Sequence, residues 1–513
     1  MDRIAGHTVG SGRNEQNAVE GEEARMDAHE GESADGDSGD GTPQGLSREP
    51  NVERASSEER AARGRSARHK VPRSSHTQVR SYTGHRDPLD MLVERSAGLV
   101  SDLVAVKYAR MLVSPSAFFR GSAISMTADL ASVQNTGLTA QLCGDARHSN
   151  FGVFSSFESG TYFDVRDFDE TGTGPFEWDV KRLGASLEIS ARENGIPPQH
   201  RKEMVRSTVR SYREAMAGFA QMSMVDIWYS HLDADQLLRR FQLLLDPDRT
   251  PGIWYELTES HVHEGLRAFE NLTHIVSSER RFVSDPPYIV PIEDLGWELD
   301  STAELKWLPE LIGSYVNTLQ PEVSHLLDQY RIAHAARRVA GVSGVGSDNW
   351  VVLLLDEQRR SHVLLEVKQA EESVLERFWS KDPNENHGQR VAYGQRMIQA
   401  ADDIFLGWDR SARKGHKRDY YVHQIRDSLA SADVAGITPG ALELWGRMCG
   451  WALARAHARS GDRIAIASYL GKSDSFERSI AKFARGYADQ NEIDYEMLQK
   501  AVRKGRITAA TCA

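Results

Sequence analysis

Two polar segments rich in carboxylates constrain this chain more than any other feature. The first reads Cys143-Gly-Asp-Ala-Arg-His-Ser-Asn-Phe-Gly, and the second reads Tyr162-Phe-Asp-Val-Arg-Asp-Phe-Asp-Glu. The apolar stretches Leu138 to Leu142 and Thr161 to Phe163 read as short strands that bracket the first segment. Asp and Asn are common in plain turns because their side chains bond to nearby backbone. The strand context is what lifts this stretch above an ordinary turn.

The spacing has a chemical counterpart. Asp145 precedes Asn150 by five positions, which is how the catalytic loop of kinases places its base and a metal-binding amide. Asp167-Phe168-Asp169 follows where a kinase-like metal aspartate is expected. Phosphoryl transfer demands positioning and charge neutralisation more than covalent work by the protein. On that basis Asp145 takes or orients an acceptor hydroxyl proton. Asn150, Asp167 and Asp169 supply oxygen ligands of the kind Mg²⁺ prefers. Arg147, two positions after Asp145, offers a fixed cation toward the transferred phosphate. Asp164 is a further candidate for the metal shell, or for orienting it from outside. Asp179, near the start of a helical run from Trp178 to Glu193, is either a brace beneath the catalytic loop or an ordinary helix-start carboxylate. Arg120 either faces a phosphate or is buried against a structural carboxylate.

A second cluster lies far along the chain. Residues 339 to 370 read as strand, glycine loop, strand, turn and strand, with Gly341, Gly344 and Gly346 in the loop and Lys368 in the last strand. Glycines let backbone approach phosphates closely. Leu-Leu-Glu-Val-Lys368 is similar to the kinase pattern Val-Ala-Ile-Lys, whose lysine reaches the α and β phosphates of ATP. Glu371, Glu372 and Glu376 are the candidates to pair with that lysine, and Glu376 is included in the cofactor-binding set with the glycines and Lys368. A helix near Arg390 to Asp403 is an alternative source of the regulatory-helix position.

The order of the two clusters is reversed relative to ordinary kinases. Circular permutation reconciles them: Ile404 to Trp408 and Tyr420 to Ile425 form the last small-lobe strands, and Leu442 to Arg459 is the helix leading into the catalytic loop. The expected fold is therefore α+β, protein-kinase-like, two-lobed and circularly permuted. Residues 1–80 form a disordered tail, 81–335 a helical large lobe with the catalytic and metal loops, 336–430 a small β-rich nucleotide-binding lobe, and 431–513 a helical return to the large lobe. The tail is assigned from its Gly, Ser, Glu, Asp and Arg content, which cannot bury enough apolar surface to order it. Residues 196–335 read as amphipathic helices.

Composition narrows the function classes. A net charge of −12 and a pI near 5.9 argue against general nucleic-acid binding. Cys143, Cys449 and Cys512 contain no pair at metal-ligand spacing, so neither a disulfide framework nor a zinc site is expected. The amino-terminal stretch is polar, no run is long enough to span a bilayer, and cytoplasm is the default.

The chain also resembles a bacterial family, domain of unknown function 2252, from about Asp87 to Ile507. The resemblance rests on Ser114-Pro-Ser-Ala-Phe-Phe-Arg-Gly-Ser-Ala, the Gly-Asp loop, Phe163-Asp-Val-Arg-Asp-Phe-Asp-Glu-Thr, Gly174-Pro-Phe-Glu-Trp-Asp-Val-Lys-Arg-Leu, Ile404-Phe-Leu-Gly-Trp and Gly450-Trp-Ala-Leu-Ala-Arg-Ala-His-Ala-Arg-Ser-Gly-Asp. That family is similar in turn to aminoglycoside and choline kinases through its catalytic loop. It usually carries His where this chain has Arg147, followed here by His148. The two motif clusters predict ATP and Mg²⁺ as cofactors and a small-molecule hydroxyl as acceptor, protein acceptors being less expected because no Ala-Pro-Glu signature follows Asp167; family membership implies no known substrate, and neither a nucleic-acid nor a membrane partner is expected. The alternative is a nucleotide-binding regulatory protein without turnover, for which Arg147 is the warning sign. A purely structural helical protein is the third expectation.

Overall fold

Two antiparallel ladders frame the acidic loops in the computed structural model, which describes residues 55–79, 87–156, 160–232, 266–298, 301–339, 345–358, 361–400, 403–413, 416–425 and 437–510. β1 (Thr139–Leu142) pairs with β4 (Gly172–Pro175), and β2 (Phe151–Ser156) pairs with β3 (Gly160–Val165). Leu142 lies opposite Gly172 and Phe151 lies opposite Val165. The spans 143–150 and 166–171 are therefore the two crossings between the same pair of ladders. Each must run beside the other, which brings the Asp145 loop against the Asp167 loop.

The helix Phe176–Glu193 follows β4 directly and is buried along nearly its whole length. It is enclosed by the helices Pro198–Phe219, Pro439–Ser460 and Ser475–Arg503. Its polar residues are consequently committed to internal partners. Glu177 accepts hydrogen bonds from the Thr136 amide at 2.7 Å and hydroxyl at 2.8 Å. Asp179, Arg182 and Ser186 recur at helical spacing, so they share the face turned to the Asp145 loop.

The remaining strands build a separate layer. β5 (Thr273–Val276) and β6 (Glu279–Phe282) form a hairpin. β7 (Ile289–Pro291), β8 (Tyr330–Arg338), β9 (Asn349–Asp356), β10 (His362–Ala370), β11 (Gly407–Arg413) and β12 (His416–Gln424) make a six-stranded antiparallel sheet in the order β11-β12-β10-β9-β8-β7. Strand alternation sorts its faces. Trp350, Val352, Val363, Leu365, Val367, Tyr420 and Val422 pack with Trp307, Leu308, Leu311 and Tyr315 of the helix Ser301–Tyr315. Val351, Leu353 and Leu364 point the other way, onto Ala336 and Phe282. Burial on both faces explains the nearly unbroken apolar runs of β9 and β10. Register sets Lys368 beside Tyr421 and Glu366 beside His423 on the face opposite the Ser301–Tyr315 helix.

The chain is thus α+β, with helices and sheet in distinct layers. No helix among the described residues is long and apolar enough to cross a membrane. Three sequence expectations need correction. Of the tail expected over 1–80, residues 55–79 are ordered: the helix Ser57–Lys70 docks on Arg463–Leu470, with Gly64 and Ala67 buried between them. Arg60 pairs with Asp462 at 2.8 Å, and Arg68 and Arg73 donate to the carbonyls of Ser468 and Leu470 at the end of the second helix. Composition suggests disorder here because the docking uses small residues and arginines rather than large apolar side chains. The region 196–335 is not purely helical, since β5 to β8 begin within it. Residues 301–327, expected in the large lobe, pack on the sheet, because Trp307, Leu311 and Tyr315 face its apolar surface.

Candidate functional site

The Asp145 loop is held from below. Asp179 accepts from the amides of Cys143 at 2.9 Å and Gly144 at 3.2 Å, and from the Cys143 thiol at 3.2 Å. His457, itself hydrogen-bonded to Tyr212, lies 3.4 Å away from Asp179. Asp179 thus occupies the brace position rather than that of a simple helix-start carboxylate. Gly144 turns with φ +80°, and a Cβ there would fall 2.0 Å from the Glu170 carbonyl oxygen, so the loop cannot pass Glu170 with any other residue. Cys143 and Cys449 are buried thiols.

Asp145 itself is clamped. Arg147 donates to Oδ2 and Arg182 to Oδ1, each at 2.8 Å, in a nearly solvent-free setting. Burial opposes its charge, but the two guanidinium groups outweigh burial and hold the carboxyl below its usual range. Arg147 also donates to Ser149 and to the Asn150 side-chain carbonyl, both at 2.8 Å. The Asn150 amide nitrogen donates to the Asp145 backbone carbonyl at 2.8 Å. Asn150, expected as a metal ligand, is therefore a loop-closing residue in this arrangement. His148 sits 3.3 Å from the Ser186 hydroxyl, as a loop residue.

The second loop meets the sheet. Lys368 Nζ lies 3.1 and 3.0 Å from the two carboxylate oxygens of Asp169, a partner 199 positions away. The Tyr421 hydroxyl donates to the same carboxylate. Burial disfavours both charges, yet the pairing prevails: Asp169 is held down and the Lys368 ammonium is held well above its ordinary value. Asp167 differs. Burial and the adjacent Asp169 charge push its carboxyl up to about 6. On the same sheet face Glu366 pairs with His423 at 3.2 Å and Arg338 at 3.4 Å.

Glu376 does not pair with Lys368. It accepts from the Ser373 amide at 2.7 Å in a capping box at the start of the short helix Val374–Phe378, with Arg390 and His387 beside it. Asp169 takes the lysine because the β10 register aims Nζ at the 166–171 span. Asp164 is not a metal ligand either, since it forms a fully buried pair with Arg455 and accepts from the Ala400 amide at 2.8 Å. Gly346 is explained by packing: its carbonyl accepts from the Val100 amide at 2.8 Å, and with φ +95° a Cβ would strike Leu99. Gly341 and Gly344 lie outside the described residues. Arg120, in the helix Pro115–Gly121, is partly buried.

A cleft joins these parts. Asp145, Asp167, Asp169, Glu170, Ser347, Gln369 and Glu371 line it, together with Arg95 and Lys107 from the helices Pro88–Ser96 and Ser101–Met111. Sequence reasoning missed Arg182, Arg95, Lys107 and Tyr421. Arg182 had a signal, three positions after Asp179 on one helix face. Arg95 and Lys107 reach the cleft, and Tyr421 reaches Asp169, through tertiary packing, and had none. Among the described residues no three His, Cys, Asp or Glu side chains converge on one metal position. Asp167 and Asp169 nevertheless form a donor set of the size Mg²⁺ uses when phosphates and waters complete its shell. A carboxyl pushed up by an adjacent carboxylate is also where a divalent ion is best tolerated.

A family model described as "Uncharacterized protein conserved in bacteria (DUF2252)" matches residues 99–501, a span holding every cleft residue above except Arg95. No curated protein and no solved structure matches the chain.

Proposed function

The chain belongs to the bacterial domain of unknown function 2252 family, and from that premise we propose that the cleft is the site of a kinase-like phosphotransferase. Its substrates are ATP and the hydroxyl of a small molecule, its setting the cytoplasm, and its two lobes follow kinase order by circular permutation. One observation carries this reading: Lys368 from the sheet meets Asp169 at 3.0 Å, and Asp169 lines the cleft together with Asp145 and Asp167.

Each residue then has a task. Lys368 exchanges part of its contact with Asp169 for phosphate oxygens. Asp167 and Asp169 would hold Mg²⁺, which would supply charge neutralisation on the phosphates. Asp145, kept ionised, accepts a hydrogen bond from the acceptor hydroxyl and orients it. A loose transition state asks little more of that carboxylate. Arg147 keeps a permanent cation beside it, and Asp179 fixes the loop that carries both.

Nucleotide binding without transfer is the second reading. Arg147 favours it, because this one guanidinium occupies Asp145 Oδ2 and the Asn150 carbonyl together. Calorimetric titration of Mg-ATP into the wild type, Lys368→Ala and Asp167→Ala, with γ-phosphate release followed in parallel, separates the two. Binding that both substitutions abolish, with turnover lost in Asp145→Asn, supports transfer. Binding without turnover supports regulation. A folded wild type that binds no Mg-ATP eliminates both and leaves a scaffold.

A further inference from the structure

Lys107 is left without a task by the chemistry above. It stands on the helix Ser101–Met111, exposes only 6% of its surface, and lines the cleft with Asp145, Asp167 and Asp169. No hydrogen bond or ion pair joins its ammonium to any described residue. The four cations that touch the carboxylates of the cleft are matched. Arg95 binds Glu170 at 2.6 Å and the Glu372 carbonyl at 3.2 Å, Lys368 binds Asp169, and Arg147 and Arg182 share Asp145.

A buried charge is ordinarily paired, because removing it from water is costly. Glu371 and Glu170 act on Lys107 only at longer range, which leaves its three donors aimed into the cleft without an acceptor. The carboxylates that line the cleft repel an incoming anion, so an oxyanion entering here seats where the unmatched ammonium stands. We infer that Lys107 is an anion-binding residue of the cleft, holding a phosphate oxygen of the ligand from the helical wall. The phosphotransferase reading supplies only the source of that phosphate, either the nucleotide or a phosphorylated acceptor.

Pyrophosphate and Mg-ATP are titrated calorimetrically into the full chain as wild type, Lys107→Met, Lys107→Gln and Lys107→Arg, with thermal unfolding recorded for each. Pyrophosphate affinity is expected to fall on the order of tenfold or more in the Met and Gln variants, as for loss of a charge-assisted hydrogen bond. The Arg variant retains most of it. A parallel loss for Mg-ATP assigns Lys107 to the nucleotide, whereas unchanged Mg-ATP binding assigns it to a phosphate on the acceptor. Wild type that binds pyrophosphate through Lys107 but not Mg-ATP sinks the phosphotransferase reading and leaves this assignment standing. Unaltered pyrophosphate affinity in the folded Met and Gln variants, or a wild type that binds neither probe, overturns it.

Discussion

Replacing Lys107 by Met is expected to stabilise the protein at neutral pH. Burial and the nearby Arg95 charge lower its ammonium from 10.5 to about 8, against smaller opposing effects of Glu371 and Glu170. Every tenfold loss of proton affinity on folding is worth about 1.4 kcal/mol, so the folded state carries a penalty of roughly 3 kcal/mol at pH 7, an upper bound once local relaxation is allowed. Methionine has a similar length and no charge to desolvate. The folded-state value lies below the unfolded one, so the penalty is complete below pH 8, fades between pH 8 and 10.5, and is absent above. Wild-type stability should therefore rise relative to Lys107→Met across that window. Urea denaturation of both proteins at several pH values measures the difference directly, with a gap of about 1–3 kcal/mol expected at pH 7. A variant less stable than the wild type at pH 7, or a gap that does not change from pH 7 to 10, would refute the reasoning. Stability gained together with phosphate binding lost is the pattern of a residue kept for function.

Other substitutions test the frame. Arg455→Met leaves Asp164 charged and buried without a counter-charge, and should cost about 3–5 kcal/mol in denaturant unfolding. Asp179→Ala removes the acceptor of the Cys143 and Gly144 amides and should cost about 1–3 kcal/mol for each amide left unpaired; unchanged stability would show that the loop does not need its brace. Gly64→Val places a side chain where a Cβ already lies 2.0 Å from the Ala465 carbonyl oxygen, so the helix Ser57–Lys70 should detach. Hydrogen exchange over residues 57–77 should then lose protection, with the rest of the chain unaffected. Tyr421→Phe removes one donor to the Asp169 carboxylate but not Lys368, and should destabilise by about 1.5–3 kcal/mol.

Much of the frame was legible because it is local. The strands β1 and β3 that bracket the Asp145 loop, the strands β9 and β10 leading to Lys368, and the helix carrying Asp179 each follow from apolar periodicity and turn chemistry within a few residues. The partners were not legible. Nothing near Lys368 in sequence indicates Asp169 over Glu376, since three glutamates follow the lysine closely and its true partner lies 199 positions before it. Arg147 was readable as a cation beside Asp145, but not as the group that closes Asn150 into the loop. The helix Ser57–Lys70 was hidden because its partner, Arg463–Leu470, lies almost at the other end of the chain.

The sequence by itself determined the residue types at the cleft and the alternation that faces Lys368, Tyr421, Glu366 and His423 one way. Those properties depend on neighbours two to seven positions away and on the fixed geometry of strands and helices. Tertiary structure alone decided which charges meet. It joined Lys368 to Asp169, gave Asp164 to Arg455, drew Arg147 and Arg182 onto Asp145, and left Lys107 facing the cleft unpaired. Ion pairing is set by distance and burial in three dimensions, and neither is encoded in separation along the chain.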